Sequence, residues 1–224
     1  MPARTIAIGD IHGCSTALRA LIEGIDPRPD DTIVTLGDYI DRGPDSRGVI
    51  ETLIGLKQRC RLVLLMGNHE EMLFQAFRGP DDLRFWLQFG GEETLDSYGR
   101  SRSLDLIPHE HLLFLRRCRN YFETDTHIFV HASYSTDRRL DETSEQILRW
   151  LPITHSTPPP HFSGKTVIVG HTPQESGRIL DLGHVKCIDT GCCTGGWLTA
   201  LDVKSGHNWQ ANETGEMRIE VVHK

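Results

Sequence analysis

Short apolar runs that end in glycine and a polar residue recur along the first third of the chain. Thr5–Gly9 (TIAIG) leads into Asp10, Thr32–Leu36 (TIVTL) into Gly37-Asp38, and Arg61–Met66 (RLVLLM) into Gly67-Asn68. Runs this short, bounded by turn residues, predict buried strands. Between them the apolar spacing changes to three and four residues. Leu18, Leu21, Ile22 and Ile25 predict a helix from Ser15 to about Gly24, capped by Ser15. Val49, Ile50, Leu53, Ile54 and Leu56 predict a second helix over Asp45–Gln58. Strand, helix, strand, helix, strand, each strand handing over to a polar loop, predicts a parallel sheet with crossover helices.

Residues 68 to about 119 read as mostly helical, in HEEMLFQAFR, DDLRFWLQF and HEHLLFLRRC, with a cap-like insertion over about 78–119. Strands return from Tyr121 in YFETDTHIFVHA, TVIVGHT, VKCIDTG, WLTALDV and MRIEVV. Pro152–Gly164 is Pro-rich and reads as an ordered surface loop. No repeat of fixed period is present. The fold class expected is α/β: a β-sandwich of two mixed sheets flanked by helices, with a helical insertion, in one domain spanning 1–224.

Composition narrows the partners. The 224 residues carry a net charge of −7, with 12 His and 6 Cys. An acidic chain without a basic block is a poor binder of nucleic acid. No run approaches the roughly 18 apolar residues of a membrane span, and no basic and apolar leader opens the chain. The expected location is the cytoplasm and the expected state a monomer. No CxxC pair occurs, so the cysteines read as reduced thiols, with Cys14 and Cys192 near the active site.

Five polar clusters follow strand ends: Gly9-Asp10-Ile11-His12-Gly13, Gly37-Asp38-Tyr39-Ile40-Asp41-Arg42-Gly43, Gly67-Asn68-His69-Glu70, Val130-His131-Ala132 and Gly170-His171-Thr172. Ligands gather at the carboxyl ends of strands in open α/β sheets, so all five can meet at one rim. Asp10 and His12, two apart in extended backbone, would point the same way and share a cation. Asp38 can bridge two cations through its two oxygens. Asn68, His131 and His171 supply an amide oxygen and two imidazoles for the second. Such an N/O set without thiolate suits Mn²⁺, with Fe or Zn²⁺ as alternatives. Two such ions roughly 3.5–4 Å apart would clamp a phosphate and acidify a shared water for in-line attack. The acidic chain would then hold one positive pocket.

GDIHG, GDYIDRG, GNHE, VHA and GHT, in this order from Gly9 to about Val203, resemble the phosphoprotein phosphatase family of dinuclear metallophosphoesterases, in the style of its shorter bacterial and phage serine/threonine phosphatases. The resemblance implies the metallophosphoesterase sandwich and a direct attack of metal-bridging hydroxide on a phosphomonoester. It implies that Asp10, His12 and Asp38 bind one ion, and Asp38, Asn68, His131 and His171 the other. His69 would be the general acid, Asp41 its hydrogen-bonding partner, and Arg42, with Asn68, a phosphate ligand. The family's second phosphate-binding arginine follows an aromatic residue. Here Arg149 precedes Trp150, so Arg149 takes the role in a changed register, with Arg138 and Arg139 as fallbacks.

Other residues read as structural. Glu70 suits a helix N-terminus. Tyr39, Phe85, Trp86, Phe89, Trp197 and Trp209 read as packing. His109, His111, His127, His155, His161, His184, His207 and His223 have no motif context. The expected substrate is protein phosphoserine and phosphothreonine, with phosphotyrosine and small aryl phosphates also in reach. The runner-up is a symmetrical dinucleoside tetraphosphate hydrolase. The reading from another class is an inactive module that binds phosphoproteins, which the complete ligand set argues against.

Overall fold

A computed structural model describes residues 3–153 and 158–220. His155 of the Pro-rich loop, and Val221, Val222 and His223 at the end of the last expected strand, lie outside the described residues. The first third follows the predicted pattern. Strand β1 (Thr5–Ile8), helix α1 (Ser15–Ile25), β2 (Thr32–Thr35), α2 (Ser46–Leu56) and β3 (Arg61–Leu64) alternate. β1 pairs β2 and β2 pairs β3 in parallel, with Ile6 opposite Ile33 and Ile33 opposite Leu62. One expected cap differs. Cys14 holds the cap position of α1 without a side-chain bond to the helix, while the Ser15 hydroxyl donates to Asp45 Oδ2 at 2.5 Å. Asp45 caps α2 instead, its Oδ1 accepting from Gly48 N at 2.9 Å. The carboxylate is the stronger acceptor, so it takes the serine and joins the two helix starts.

The helical region contains α3 (Asn68–Ala76), α4 (Pro80–Trp86), a π-turn over Leu87–Gly91, α5 (Glu92–Tyr98) and α6 (His109–Leu115). The chain then forms β4 (Tyr121–Glu123), β5 (His127–Val130), α7 (Glu145–Trp150), β6 (Thr166–Val169), β7 (Leu180–Asp181), β8 (Val185–Cys187), β9 (Asp189–Thr190), β10 (Trp197–Asp202), β11 (Asn208–Ala211) and β12 (Met217–Glu220). The expected strand from Tyr121 is a hairpin, because Thr124 N turns back to His127 O at 2.9 Å.

The strands build two mixed sheets. One runs β12-β11-β10-β1-β2-β3, with β9 also on β10; the other runs β4-β5-β6-β8-β7. Alternation along β1 shows how they pack. Ile6 and Ile8 face the helical side with Leu18, Leu21, Val49 and Leu53. Ala7 faces the second sheet, together with Val34, Leu36, Val63, Phe129 and Ile168. Ile128, Val130, Val167 and Val169 point the other way, onto Leu148 of α7. A one-residue slip of β1 would exchange these faces. Each buried Ile or Leu contributes roughly 1.5–3 kcal/mol, so the register is strongly held. This is the two-sheet α/β metallophosphoesterase architecture. The carboxyl ends of β1, β2, β3, β5 and β6 open onto one rim, where the five polar clusters sit.

Candidate metal centre

Asp38 is the hub of the rim. Its Oδ2 lies 3.4 Å from His12 Nε2 and 3.9 Å from His69 Nε2. Its Oδ1 lies 3.5 Å from His131 Nε2. His131 Nε2 is in turn 3.0 Å from Asn68 Oδ1 and 3.2 Å from His171 Nδ1. Donor atoms thus converge in two groups that share Asp38: His12, Asp38 and His69, and Asp38, His131 and His171. Asp10 joins from the side. Its Oδ2 accepts from His171 N at 2.9 Å, while its Oδ1 is buried with no partner. An orphaned carboxylate oxygen beside converging imidazole nitrogens fits a divalent cation, which supplies the missing counter-charge.

The backbone is bent to make this convergence. Among the described non-glycine residues, φ is positive at His12, Asp38, Asp41, Arg42 and His171, and elsewhere only at Asp26 and Arg102. Such strain collects where function needs it. The extended backbone expected between Asp10 and His12 is therefore absent; a left-handed turn at His12, φ 44°, aims its ring. Glycines also clear space. A Cβ on Gly170 would stand 2.0 Å from Asp10 Oδ1, and one on Gly67 2.1 Å from Asp38 Oδ1.

Each imidazole is oriented by its other nitrogen. His12 Nδ1 is 2.9 Å from Ile40 O, His131 Nδ1 2.9 Å from Leu36 O, and His171 Nε2 3.1 Å from Trp150 O. A carbonyl only accepts, so the proton sits on that nitrogen and the lone pair faces the centre. Burial keeps these rings neutral, lowering His12 to about 3 and His131 to about 4, with His171 also lowered. Burial would raise Asp38, but the facing histidines outweigh it and hold the carboxyl below the usual range. Asp10 is pushed up by burial, then by Asp189 and Asp38.

His69 differs. Its Nδ1 is 2.7 Å from Asp41 Oδ2, and its Nε2 is buried without a partner. Burial would lower its pKa, yet Asp38 and Asp41 outweigh burial and raise it. Asp41 is fully buried and takes two further bonds, from Trp86 Nε1 at 2.8 Å and Thr94 Oγ1 at 2.7 Å. Glu70 accepts from the backbone of Gly67, Asp38 and Tyr39 at 3.1, 2.9 and 2.8 Å, and so fastens two site loops. Burial, then the Asp38 charge, pushes it up to about 8.

The structure places Arg42 at the centre, its Nη1 3.0 Å from His12 Nε2. Arg149 is the departure among the expected residues. Its terminal nitrogens are taken by Glu71 at 3.1 Å, Glu145 at 2.8 Å and Asn120 at 2.5 Å. Both of these carboxylates draw the guanidinium to themselves. Of the fallbacks, Arg139 pairs with Asp141 and Arg138 is exposed. Reasoning from sequence missed three residues. Trp86 and Thr94 reach Asp41 from the insertion. Asp189 lies buried beside Asp10 and is pushed up to about 6 by burial and Asp38, against Gly191 N–H and Arg42. The Asp-Thr-Gly run after VKCI is the one sequence signal for Asp189.

Fold and site together define a metal-dependent phosphoesterase. The sequence profile of the calcineurin-like phosphoesterase family matches residues 3–185, and the chain belongs to that family, in its phosphoprotein-phosphatase style. It is 32% identical over 207 residues to serine/threonine-protein phosphatase 1 of Salmonella typhimurium, covering 88% of this chain and 90% of the relative. It is 31% identical over 225 residues to the asymmetrical bis(5'-nucleosyl)-tetraphosphatase PrpE of Geobacillus thermodenitrificans, covering 87% and 88%. The fold is also that of a cold-active protein tyrosine phosphatase, with a TM-score of 0.70 and 20% identity over 97% of this chain and 79% of the other.

Proposed function

We propose that the chain hydrolyses phosphomonoesters with two divalent ions, Mn²⁺ ahead of Fe or Zn²⁺, acting first on protein phosphoserine and phosphothreonine. Phosphotyrosine and small aryl phosphates are secondary substrates. The observation that carries this reading is the pair of donor groups sharing Asp38 beside a complete His69–Asp41 pair. Asp10, His12 and Asp38 would hold one ion, and Asp38, Asn68, His131 and His171 the other. When bound, such ions polarise phosphoryl oxygens and acidify water.

The chain's own residues do the rest. His69 holds a proton at Nε2 for the leaving oxygen, and Asp41 orients the ring and favours its charged form. Arg42 grips phosphate oxygens by charge-assisted hydrogen bonds; to do so it releases His12 Nε2, which frees that nitrogen for the ion. Arg149, held by Glu71 and Glu145, acts through position: it steadies the segment whose Trp150 carbonyl orients His171. The six free thiols suit a reducing cytoplasm. The test is turnover of a phosphothreonine peptide and of p-nitrophenyl phosphate by the Mn²⁺-loaded protein. No hydrolysis with Mn²⁺, Fe²⁺ or Zn²⁺ would overturn the proposal and favour a phosphoprotein-binding module.

One observation favours a second reading, a dinucleoside tetraphosphate hydrolase. Phe85 and Phe89, read as core or cap packing, are 45% and 40% exposed, with ring centroids 4.9 Å apart. Gly90, next in the chain, accepts Arg42 N at 3.2 Å. An exposed ring pair that close in sequence to a phosphate-binding arginine suits a planar base. Direct competition between diadenosine tetraphosphate and a phosphopeptide separates the readings by their kcat/KM values.

A further inference from the structure

A cavity of about 530 Å³ lies between the two sheets at the end away from the metal centre. His127 opens β5 and Thr166 opens β6, and both line it. His131 and His171 follow the opposite ends of those strands. Four residues of strand separate His127 from His131, about 13 Å. From the first sheet come Leu201, near the end of β10 that pairs with the start of β1, and Asn208 and Gln210 of β11. The volume is that of a small-molecule site.

Three polar side chains of the lining have no partner among the described residues. Asn208 is only 4% exposed, yet its side-chain amide makes no hydrogen bond among the described residues. The amide opens instead into the cavity. Its neighbour on the same face, Gln210, is saturated by Thr199, Gly177 and Arg218, so local groups do not serve Asn208. At the rim Arg178 and Lys204 carry no ion pair or side-chain hydrogen bond among the described residues. The third cation, Lys186, is matched by Asp181. Burial, then Lys186, keeps His127 below its ordinary value, so it adds no charge. The cavity therefore presents two uncompensated cations on a chain of net charge −7.

We propose that this cavity is a second ligand site that binds a small organic oxyanion, its phosphate or carboxylate head on Arg178 and Lys204 and its hydrogen-bonding body on Asn208. Arg178 offers the planar fork that matches either head, Lys204 adds a point charge, and Leu201 gives an apolar wall. The site is separate from the metal centre and stands whatever the centre hydrolyses.

The test titrates the zinc-loaded, ¹⁵N-labelled chain with adenosine monophosphate and, separately, with succinate. The expected result is saturable shifts of the Thr166, Lys186 and Asn208 amides with at least one probe, at a Kd of about 1 mM or below. Adenosine monophosphate alone assigns a phosphate head, and succinate alone a carboxylate head. The double variant Arg178→Glu, Lys204→Glu alters exposed side chains only. It should weaken that binding by about tenfold or more while p-nitrophenyl phosphate turnover is unchanged. Asn208→Leu should weaken it too. Absence of saturable shifts at these amides with both probes up to about 10 mM, or equal affinity in the charge-reversed variant, overturns the proposal.

Discussion

Asp41 draws donors from three parts of the chain: His69 at the start of α3, Trp86 at the end of α4 and Thr94 in α5. Its burial raises its pKa, and these bonds work against that rise to keep the carboxylate ready for His69. His69→Asn should keep both ions, by elemental analysis, and lose about 10²–10⁴-fold in kcat. Unchanged turnover would remove His69 from the reaction. Trp86→Phe keeps the packing and deletes one donor to Asp41. A hydrogen bond to a charged group contributes about 1.5–3 kcal/mol, so denaturant melts should register a loss of that order and kcat should fall about tenfold with KM little changed. Asp38→Asn should lower the content of both ions together, since one carboxylate serves both donor groups. Asp41 and His69 were legible in GDYIDRG and GNHE. Trp86 and Thr94 were not, because the contact joins positions 45 and 53 residues from Asp41, and an inward-facing tryptophan reads the same whether it meets a leucine or a carboxylate.

At the scale of elements, the strands up to β3 could be read because they are short unbroken apolar runs, β1 and β2 buried on both faces, and the two helices because each buries one apolar face. β11 could not. Asn208 and Gln210 alternate with Trp209 and Ala211, so buried polar residues stand where an apolar pattern would mark the inner face. β7 has two residues, too short to carry any period, while β9 was read together with β8 as one strand in VKCIDTG. The insertion was legible as helix, but its break was not. The π-turn over Leu87–Gly91 puts Gly90 at φ 103°, and this bend lets the insertion lie on the Arg42 backbone. A Cβ on Gly90 would stand 2.4 Å from Arg42 N. Gly90→Ala therefore combines a disfavoured φ with a backbone clash and should push Arg42 off the centre. The expected kinetics are a KM raised about tenfold or more for every phosphoester tried, with ion content unchanged. A KM raised for diadenosine tetraphosphate alone would place the fault in Phe85 and Phe89 instead.

Across the whole molecule, two sets of buried carboxylates give stability opposite dependences on pH. Asp31 is fully buried and accepts from the backbone and side chains of both Arg4 and Arg28. Burial would raise it, but these bonds outweigh burial and hold its carboxyl well below the ordinary value. Its folded pKa is lowered, so its contribution is complete above about 3.9 and is lost as pH falls below that. Asp31→Asn should remove about 2 kcal/mol at neutral pH and flatten the acid limb. Asp189 behaves in reverse. Its folded value of about 6 is raised, so without metal the folded state binds the extra proton, and stability declines as pH rises from about 4 towards 6. Asp10, its own Oδ1 unpaired, adds to the same decline. A divalent ion at the centre supplies the charge these acids lack. His12, His131 and His171, lowered in the fold, slope the other way over the same range, so the comparison is with Asp189→Asn: treated with chelator, that variant should gain melting temperature on the parent chain as pH rises from 5 to 7. Saturating Mn²⁺ should stabilise the fold more at pH 7, by about 2.7 kcal/mol per site at a hundredfold excess over Kd, read as a rise in melting temperature. A metal-induced shift equal at both pH values would detach the ion from these carboxylates. A larger shift at pH 5 would reverse the sign of the coupling.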